Sequence, residues 1–244
     1  ARFSLWLDTH PKGPPSGFLD HNLGRGDSLL GIDRIEQLTA LSMTPSADAQ
    51  VRLFGKNVRQ AVEQAVTIRL QLREIPIRDI RDVEAMASLD SAARSTLRFS
   101  SSLSDALIGA AFVSPTPRAL EMRGAEIAAQ ADRAAKDSGD AMAAVQEKAA
   151  LDLATDTRNA TSRSPLHWPI EFPEVFQRQD PGFDAWISNP PFMGGRKISS
   201  NLGDAYEKAL KRLLLDGAKG SVNLVAYFLV RSLRLLRRTG VARF

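Results

Sequence analysis

A proline pair lies directly after a short strand-like run and fixes the direction of the polar groups beside it. The run FDAWIS, residues 183–188, predicts a strand, and Asn189, Pro190, Pro191 and Phe192 follow it. Each proline holds φ near about −65° and removes an N–H donor, so the Asn189 amide and the neighbouring carbonyls point in defined directions. In open α/β sheets, ligands bind at the carboxyl ends of strands. The four residues therefore predict a site that accepts hydrogen bonds from a ligand, with an ordinary strand-ending turn as the alternative.

The segment GRGDSLLG, residues 24–31, admits more than one kind of site. A dinucleotide-binding loop is excluded, because the spacing is not G-x-G-x-x-G and no βαβ unit surrounds it. An esterase nucleophile at Ser28 needs a histidine base with an acidic partner, and the usual downstream Asp-x-x-His is missing. An Asp27 that merely caps the next turn is the structural alternative.

Basic residues follow the proline pair. Gly194, Gly195, Arg196 and Lys197 predict a flexible basic loop suited to phosphate contact, with a solvated loop as the alternative. A later cluster predicts a helix that packs its leucines on one side and leaves its arginines solvated on the other. The members of that cluster are Leu229, Arg231, Leu233, Arg234, Leu236, Arg237 and Arg238.

The histidines and the aromatic residues before the proline pair are predicted to be structural. The histidines show no metal-ligand spacing, so no metal site is expected. They are His10, His21 and His167. Three rings are predicted to pack in the core or cover a strand, and not to form a nucleotide platform. These rings belong to Trp168, Phe172 and Phe176.

Composition limits the class of protein. The 244 residues are 43% hydrophobic, which is ample for a buried core. Lys+Arg 32 against Asp+Glu 28 gives a net charge of +4, which is compatible with a polyanionic partner but does not require one. With Cys 0, disulfides, thiolate metal sites and cysteine nucleophiles are excluded. The longest apolar stretch, residues 222–230, is far shorter than the roughly 20 residues that span a bilayer, so we expect a soluble, cytoplasmic protein that does not enter a membrane.

The chain divides into three regions with different compositions. Residues 1–31 contain a helix candidate, RFSLWL, and then the strand-and-turn segment around Asp27. Residues 32–164 have helical apolar spacing and alanine-rich charged stretches, which predict an all-helical insertion cut by Pro76, Pro115 and Pro117.

Residues 165–244 return to a mixed pattern. The prolines of SPLHWPIEFPEVF favour an extended segment, and FDAWIS is short enough for a strand buried on both faces. A helix is predicted from an N-cap at Asp204 to Leu215, with Gly217 as its C-cap. A second helix is predicted to end before Gly240, and VARF to begin another strand. This order of strand, helices and strand predicts an α/β fold.

Residues 182–192, GFDAWISNPPF, resemble the catalytic motif of adenine-N6 DNA methyltransferases, which is Asn or Asp, two prolines and an aromatic residue. FLDHNLGRGDSLLG, HWPIEFPEVF and NPPFMGGRKI extend the resemblance to the large adenine-specific methyltransferases of type IIG restriction and phage-defence systems. The resemblance covers residues 1–31 and about 165–244. It implies part of a Rossmann-like, S-adenosylmethionine-dependent methyltransferase sheet, interrupted by the helical insertion at residues 32–164.

The resemblance also implies a role for each site residue. The Asn189 side-chain oxygen and the Pro190 carbonyl are expected to accept hydrogen bonds from the amine of a flipped adenine, and Phe192 to stack on the base. Asp27 is expected to accept a hydrogen bond from the adenine amine of S-adenosylmethionine. The expected substrate is double-stranded DNA, contacted by Pro191, Arg196 and Lys197.

Parts of the family pattern are missing from residues 1–244. The Gly-rich cofactor motif is expected before residue 1, and the target-recognition domain after residue 244. We therefore expect flanking domains of the same polypeptide to complete the enzyme, and the isolated fragment to be inactive. The alternative function is a non-enzymatic DNA-binding or scaffolding module that keeps a methyltransferase-like shell.

Overall fold

Helices form most of the fold. The computed structural model describes residues 20–46, 52–136, 139–155, 163–217 and 219–244. The predicted helix at residues 2–7 and His10 lie outside the described residues. The helices before the proline pair are α1 (Ile35–Ala40), α2 (Leu53–Glu74), α3 (Ile80–Thr96), α4 (Arg98–Val113), α5 (Pro117–Ala134), α6 (Gly139–Leu153), α7 (Trp168–Glu171) and α8 (Pro173–Phe176). Those after it are α9 (Gly195–Leu202), α10 (Asp204–Leu214) and α11 (Leu224–Leu235).

The prolines of the helical region end and begin helices, as predicted. Helix α2 ends at Glu74, before Pro76, because a proline restricts the residue before it to extended backbone. Helix α4 ends at Val113, and α5 begins with Pro117 at its first position, where the missing N–H costs nothing. The Thr116 side chain caps α5 by accepting a hydrogen bond from the amide of Ala119 at 3.2 Å.

Two parallel strands make up the sheet of the described residues. They are β1 (Phe183–Ile187) and β2 (Leu236–Arg243), with Ala185 opposite Val241 and Ile187 opposite Arg243. Both strands were predicted, but β2 begins at Leu236, inside the segment predicted to be helical. The prediction that β1 is buried on both faces is wrong: Ile187 is 83% exposed, because no described element covers that side of a two-stranded sheet.

The segment around Asp27 lies against the residues that follow the helical region. Asp27 forms a parallel bridge with Pro165, in which its amide donates to Ser164 and its carbonyl accepts from Leu166. Gly31 has φ +105°, and a Cβ there would lie 2.2 Å from the carbonyl oxygen of Leu166. Only glycine permits this conformation and this close backbone approach.

Most buried residues belong to one hydrophobic cluster that extends from Leu29 to Tyr227 and includes residues of the helical region. A smaller cluster joins Trp168 and Leu235 to the partly buried rings of Phe172, Phe176 and neighbouring aromatic residues, as predicted for packing rings. The segment around Trp168 is not extended as predicted. It forms the one-turn helices α7 and α8, because its prolines occupy first-turn positions, which helices tolerate.

Helix α11 buries a charge where the sequence predicted a solvated one. Arg231 is 1% exposed, whereas Leu229 and Leu233 are exposed. The guanidinium pairs with Asp33 at 3.0 Å and donates to the carbonyls of Leu29 and Gly31. Helical spacing could not predict this, because the acceptors come from a segment about 200 residues earlier in the chain. Of the other clustered arginines, Arg237 and Arg238 lie on strand β2.

The predicted fold class is correct in part. The described residues are mostly helical with a small parallel sheet, which is compatible with a piece of a methyltransferase fold. The domain boundaries at residues 31 and 164 stay predictions. Among the helices of the described ranges, none is long and apolar enough to span a membrane.

We predict that Arg231→Met lowers the free energy of unfolding by about 3 kcal/mol, because it leaves the Asp33 carboxylate buried without its nearest cation. Urea unfolding followed by circular dichroism measures the change. Arg238→Met, at an exposed position of β2, is the matched control and should change stability by less than about 0.5 kcal/mol. Equal effects of the two substitutions would contradict the structural role of the Arg231 ion pair.

Candidate functional site

The NPPF loop, residues 188–194, leaves the carboxyl end of β1. The amide of Ser188 donates to the Arg243 carbonyl at 3.2 Å, which extends the strand pairing by one residue. After it, Asn189 is exposed and Pro190 is buried. Phe192 is 84% exposed, an unusual place for a large apolar ring. The loop therefore presents an amide and a phenyl ring to solvent at the end of a parallel strand.

Both ends of the NPPF loop are held by other elements. Ser188 is bonded to β2, and the carbonyl of Met193 accepts a hydrogen bond from the amide of Leu224, the first residue of α11, at 2.8 Å. Gly195 lies so close to Ser221 that a Cβ would meet its hydroxyl at 2.2 Å. Between these fixed points, the two prolines limit the backbone further. The exposed residues thus project from a constrained loop.

The acceptors of the NPPF loop are not used inside the fold. Within the described residues, the Asn189 side chain makes no hydrogen bond, and no backbone amide donates to the Pro190 carbonyl. Neither of these two acceptors would have to give up an internal hydrogen bond in order to receive a donor from a ligand.

Asp27 is partly exposed, and its carboxylate already has three donors. The Oδ1 atom accepts from the amides of Leu29 at 3.0 Å and Leu30 at 3.3 Å, which is the turn-capping arrangement considered from the sequence. The Oδ2 atom accepts from the Tyr206 hydroxyl at 2.8 Å. A carboxylate has about four acceptor positions, so one remains on Oδ2.

Tyr206 is a partner of the candidate site residue Asp27 that was not predicted from the sequence. It lies on α10 and is 3% exposed, and its pKa is raised, first by burial and then by the negative charge of Asp27. Its place on the apolar face of a helix predicts a core residue, and no local signal marks its hydroxyl as the partner of a carboxylate 179 residues away.

Asp27 and the NPPF loop are connected through helices α9 and α10. Tyr206, which bonds to Asp27, lies on α10. Helix α10 packs against α9, and α9 begins at Gly195, directly after the loop. Arg163 bridges the same two helices, since its guanidinium lies 4.8 Å from the Tyr206 ring centroid and donates to the Leu202 carbonyl.

The predicted flexible basic loop is instead the start of a helix. Gly195, Arg196 and Lys197 form the first turn of α9, and the side chains of Arg196 and Lys197 are exposed. Gly194 is the N-cap residue, with no close neighbour around its Cα. Cations in a first helical turn oppose the helix dipole by about 0.3–1 kcal/mol. The two charges therefore do not stabilise α9.

Within the described residues, no histidine is hydrogen-bonded to Ser28, so the esterase alternative has no base there. His167 uses both ring nitrogens: Nδ1 accepts from the amide of Ile32 and Nε2 lies 3.0 Å from Asp105. His21 is buried, and burial is the main cause of its lowered pKa.

Among the described residues, no group of His, Cys, Asp and Glu is arranged to hold a metal ion.

Two clefts formed by described residues do not coincide with the NPPF loop. One of 530 Å³ is lined by residues that include Met43, Pro117 and Lys208, and another of 460 Å³ includes Arg34 and Arg178. Neither is lined by Asn189, Phe192 or Asp27. The candidate site is therefore an exposed surface and not one of these clefts. The described residues would contact a ligand on one side only.

A comparison with known families shows the family of this chain. The sequence model of the Eco57I restriction-modification methylase family matches residues 1–244. The chain belongs to this family. Among curated proteins and among solved structures, none matches it. Membership in the Eco57I methylase family indicates a restriction-modification DNA methyltransferase.

We predict that Phe192→Ala changes the free energy of unfolding by less than about 0.5 kcal/mol, because the ring makes few contacts to lose. Phe54→Ala is the matched control: Phe54 is fully buried, so its truncation should cost about 3–5 kcal/mol. Thermal and urea unfolding of the two variants give the comparison. A large loss of stability in Phe192→Ala would mean that the ring packs inside the fold and is not available to a ligand.

Proposed function

We propose that this chain carries the catalytic loop of an S-adenosylmethionine-dependent methyltransferase that modifies N6 of adenine in double-stranded DNA. Family membership supports DNA methylation in general. The exposed Asn189 and Phe192 and the buried Pro190 between them, at the carboxyl end of β1, support the finer assignment, because the loop has two acceptors without an internal donor beside an exposed ring.

The chemistry of adenine explains why two acceptors are needed. The lone pair of the exocyclic amine is delocalised into the ring, so the nitrogen is a poor nucleophile. The Asn189 side-chain oxygen and the Pro190 carbonyl would each accept one of its N–H groups. These bonds favour a pyramidal nitrogen whose lone pair is directed at the methyl donor. A loop fixed before the substrate arrives does this with little reorganisation.

Phe192 would provide the stacking surface for an adenine turned out of the duplex. Base stacking on an aromatic side chain contributes about 1–3 kcal/mol, which offsets part of the cost of unpairing and unstacking the base. Exposure of the ring costs hydrophobic free energy in the unbound protein. That cost is understandable if the ring becomes covered by the base.

Asp27 fits one part of the proposed cofactor. When bound, S-adenosylmethionine supplies the methyl group from its sulfonium. The partly exposed Oδ2 atom of Asp27 keeps one acceptor position, which suits the amine of the cofactor's adenine. The described residues therefore supply a single oriented acceptor, and we propose that a Rossmann-like sheet supplies the remaining contacts.

The exposed cations of α9 suit the DNA backbone. Arg196 and Lys197 lie four and five residues after Phe192 in the first turn of the helix, where they do not favour helix stability. Phosphate contacts position a protein on DNA without reading its sequence. We assign this role to both residues, and close contact beside the extruded base to Pro191.

A non-enzymatic DNA-binding shell is the second candidate. The observation that favours it is the internal bonding of Asp27, whose carboxylate already accepts three hydrogen bonds without any cofactor. The two candidates differ in whether the protein transfers a methyl group at all.

We predict that Asn189→Ala in the intact protein lowers the rate of methyl transfer on the order of 100-fold or more, because one of the two acceptors is lost. The dissociation constant for DNA should stay within about threefold, since phosphate contacts dominate affinity. Radiolabelled methyl transfer and filter binding measure the two quantities, and mass spectrometry of the nucleosides identifies the methylated base.

Asn201→Ala is the control, because Asn201 is an exposed asparagine on the neighbouring helix α9. It should leave both quantities unchanged. An active Asn189→Ala protein, or a methylated base other than adenine, would refute the assignment. An intact wild-type protein that binds DNA and transfers no methyl group would favour the shell.

We further predict that Asp27→Asn weakens S-adenosylmethionine binding by about tenfold, because the amide can keep one oxygen for the turn but replaces the other acceptor with a donor. Isothermal titration calorimetry on the intact protein measures the affinity. Unchanged affinity would leave Asp27 as a residue that only caps its own turn.

A further inference from the structure

A buried tyrosine lies beside the carboxylate that we assign to the cofactor. The Tyr206 hydroxyl donates to Asp27 Oδ2 at 2.8 Å, across a sequence separation of 179 residues. The bond joins the turn after residue 27 to helix α10, which follows the NPPF loop in the chain.

The ring of Tyr206 is held by several neighbours. The guanidinium of Arg163 lies 4.8 Å from its centroid, and the ring of Phe112 packs against it at 6.4 Å between centroids with a tilt of 53°. Arg163 is itself bonded to the Leu202 carbonyl at 2.6 Å. Since the ring is almost fully buried, the direction of its hydroxyl is fixed by packing.

The fold does not require every buried tyrosine hydroxyl to be bonded. Tyr227 on α11 is 0% exposed, and its hydroxyl has no hydrogen-bond partner within the described residues. A phenyl ring would fill either position. Burial alone therefore does not explain the hydrogen bond from Tyr206 to Asp27, and a functional role can explain it.

The three donors to Asp27 fix both torsions of its side chain. The amides of Leu29 and Leu30 hold Oδ1, and Tyr206 holds Oδ2 from the other side. The orientation of the carboxylate is therefore fixed before a ligand binds. As a result, the remaining acceptor position on Oδ2 points in a single direction. Orienting an acceptor in advance removes a cost that binding would otherwise bear.

We infer that Tyr206 is a positioning residue that orients the Asp27 carboxylate to receive the amine of the cofactor's adenine. This inference rests on the proposed function, because it assumes that Asp27 binds the cofactor. It assigns Tyr206 no contact with the methyl group or with the target base. Its effect must therefore appear in cofactor affinity and not in the chemical step.

The test compares Tyr206→Phe with Tyr227→Phe in the intact protein. Tyr206→Phe should raise the dissociation constant and KM for S-adenosylmethionine by about tenfold, since it removes a hydrogen bond to a charged group. The KM for DNA and the kcat at saturating cofactor should stay within about twofold. Tyr227→Phe should change none of these values.

Combination with Asp27→Asn separates this inference from the proposed function. If Tyr206 acts through Asp27, Tyr206→Phe should cause no further loss of cofactor affinity in the Asp27→Asn background. If Asp27→Asn alone leaves the affinity unchanged, the proposed role of Asp27 fails, and the inference fails with it. If Asp27→Asn weakens binding and Tyr206→Phe does not, or tightens it, the positioning role alone is overturned.

Thermal unfolding distinguishes positioning from a general structural role. A Tyr206→Phe protein with an unchanged Tm and weaker cofactor binding supports the inference. A protein with a lowered Tm in which kcat, KM for DNA and cofactor affinity all deteriorate would overturn it, because Tyr206 would then stabilise the fold as a whole.

Discussion

A buried guanidinium joins the segment that carries Asp27 to the helix that anchors the NPPF loop. Burial is the main cause of the lowered pKa of Arg231, and the facing Asp33 carboxylate opposes that shift. The guanidinium also donates to the carbonyls of Leu29 and Gly31, so the backbone next to Asp27 is fixed by the same group. An ion buried without such partners would cost several kcal/mol. Helix α11 can therefore lie in one position against residues 29–33, and its first residue holds the loop at Met193.

The same fold constrains the backbone of the NPPF loop and leaves two of its side chains exposed. The NPPF loop is limited by two prolines and held at both ends, yet Asn189 and Phe192 are exposed. A fold built for stability alone would bury the phenyl ring, since exposure forfeits hydrophobic free energy. The proposed function gives this arrangement a purpose, because an enzyme that modifies an extruded adenine would need polar acceptors and a stacking surface for the base.

The sequence predicted local features well and long-range features poorly. The helix ends near Pro76 and Pro117 and the strand at residues 183–187 follow from backbone restrictions that act over a few residues. The sequence predicted that Arg231 is solvated and that two leucines of its helix are buried, which is the reverse of the structure. Apolar periodicity gives this error because it takes no account of a charge that has a partner inside the fold. The start of α9 was predicted to be a loop, since two adjacent glycines weaken a helical pattern that tertiary packing here restores.

The sequence by itself determined the helical region between the two mixed segments, the strand β1, the proline-stiffened loop and the methyltransferase family to which the chain belongs. These depend on φ limits, apolar spacing and a contiguous motif, all of which can be read within a short window. Only the tertiary structure decided that Tyr206 bonds to Asp27 and that Arg231 pairs with Asp33. Such contacts join residues far apart in the chain, and their geometry depends on how every helix between them packs.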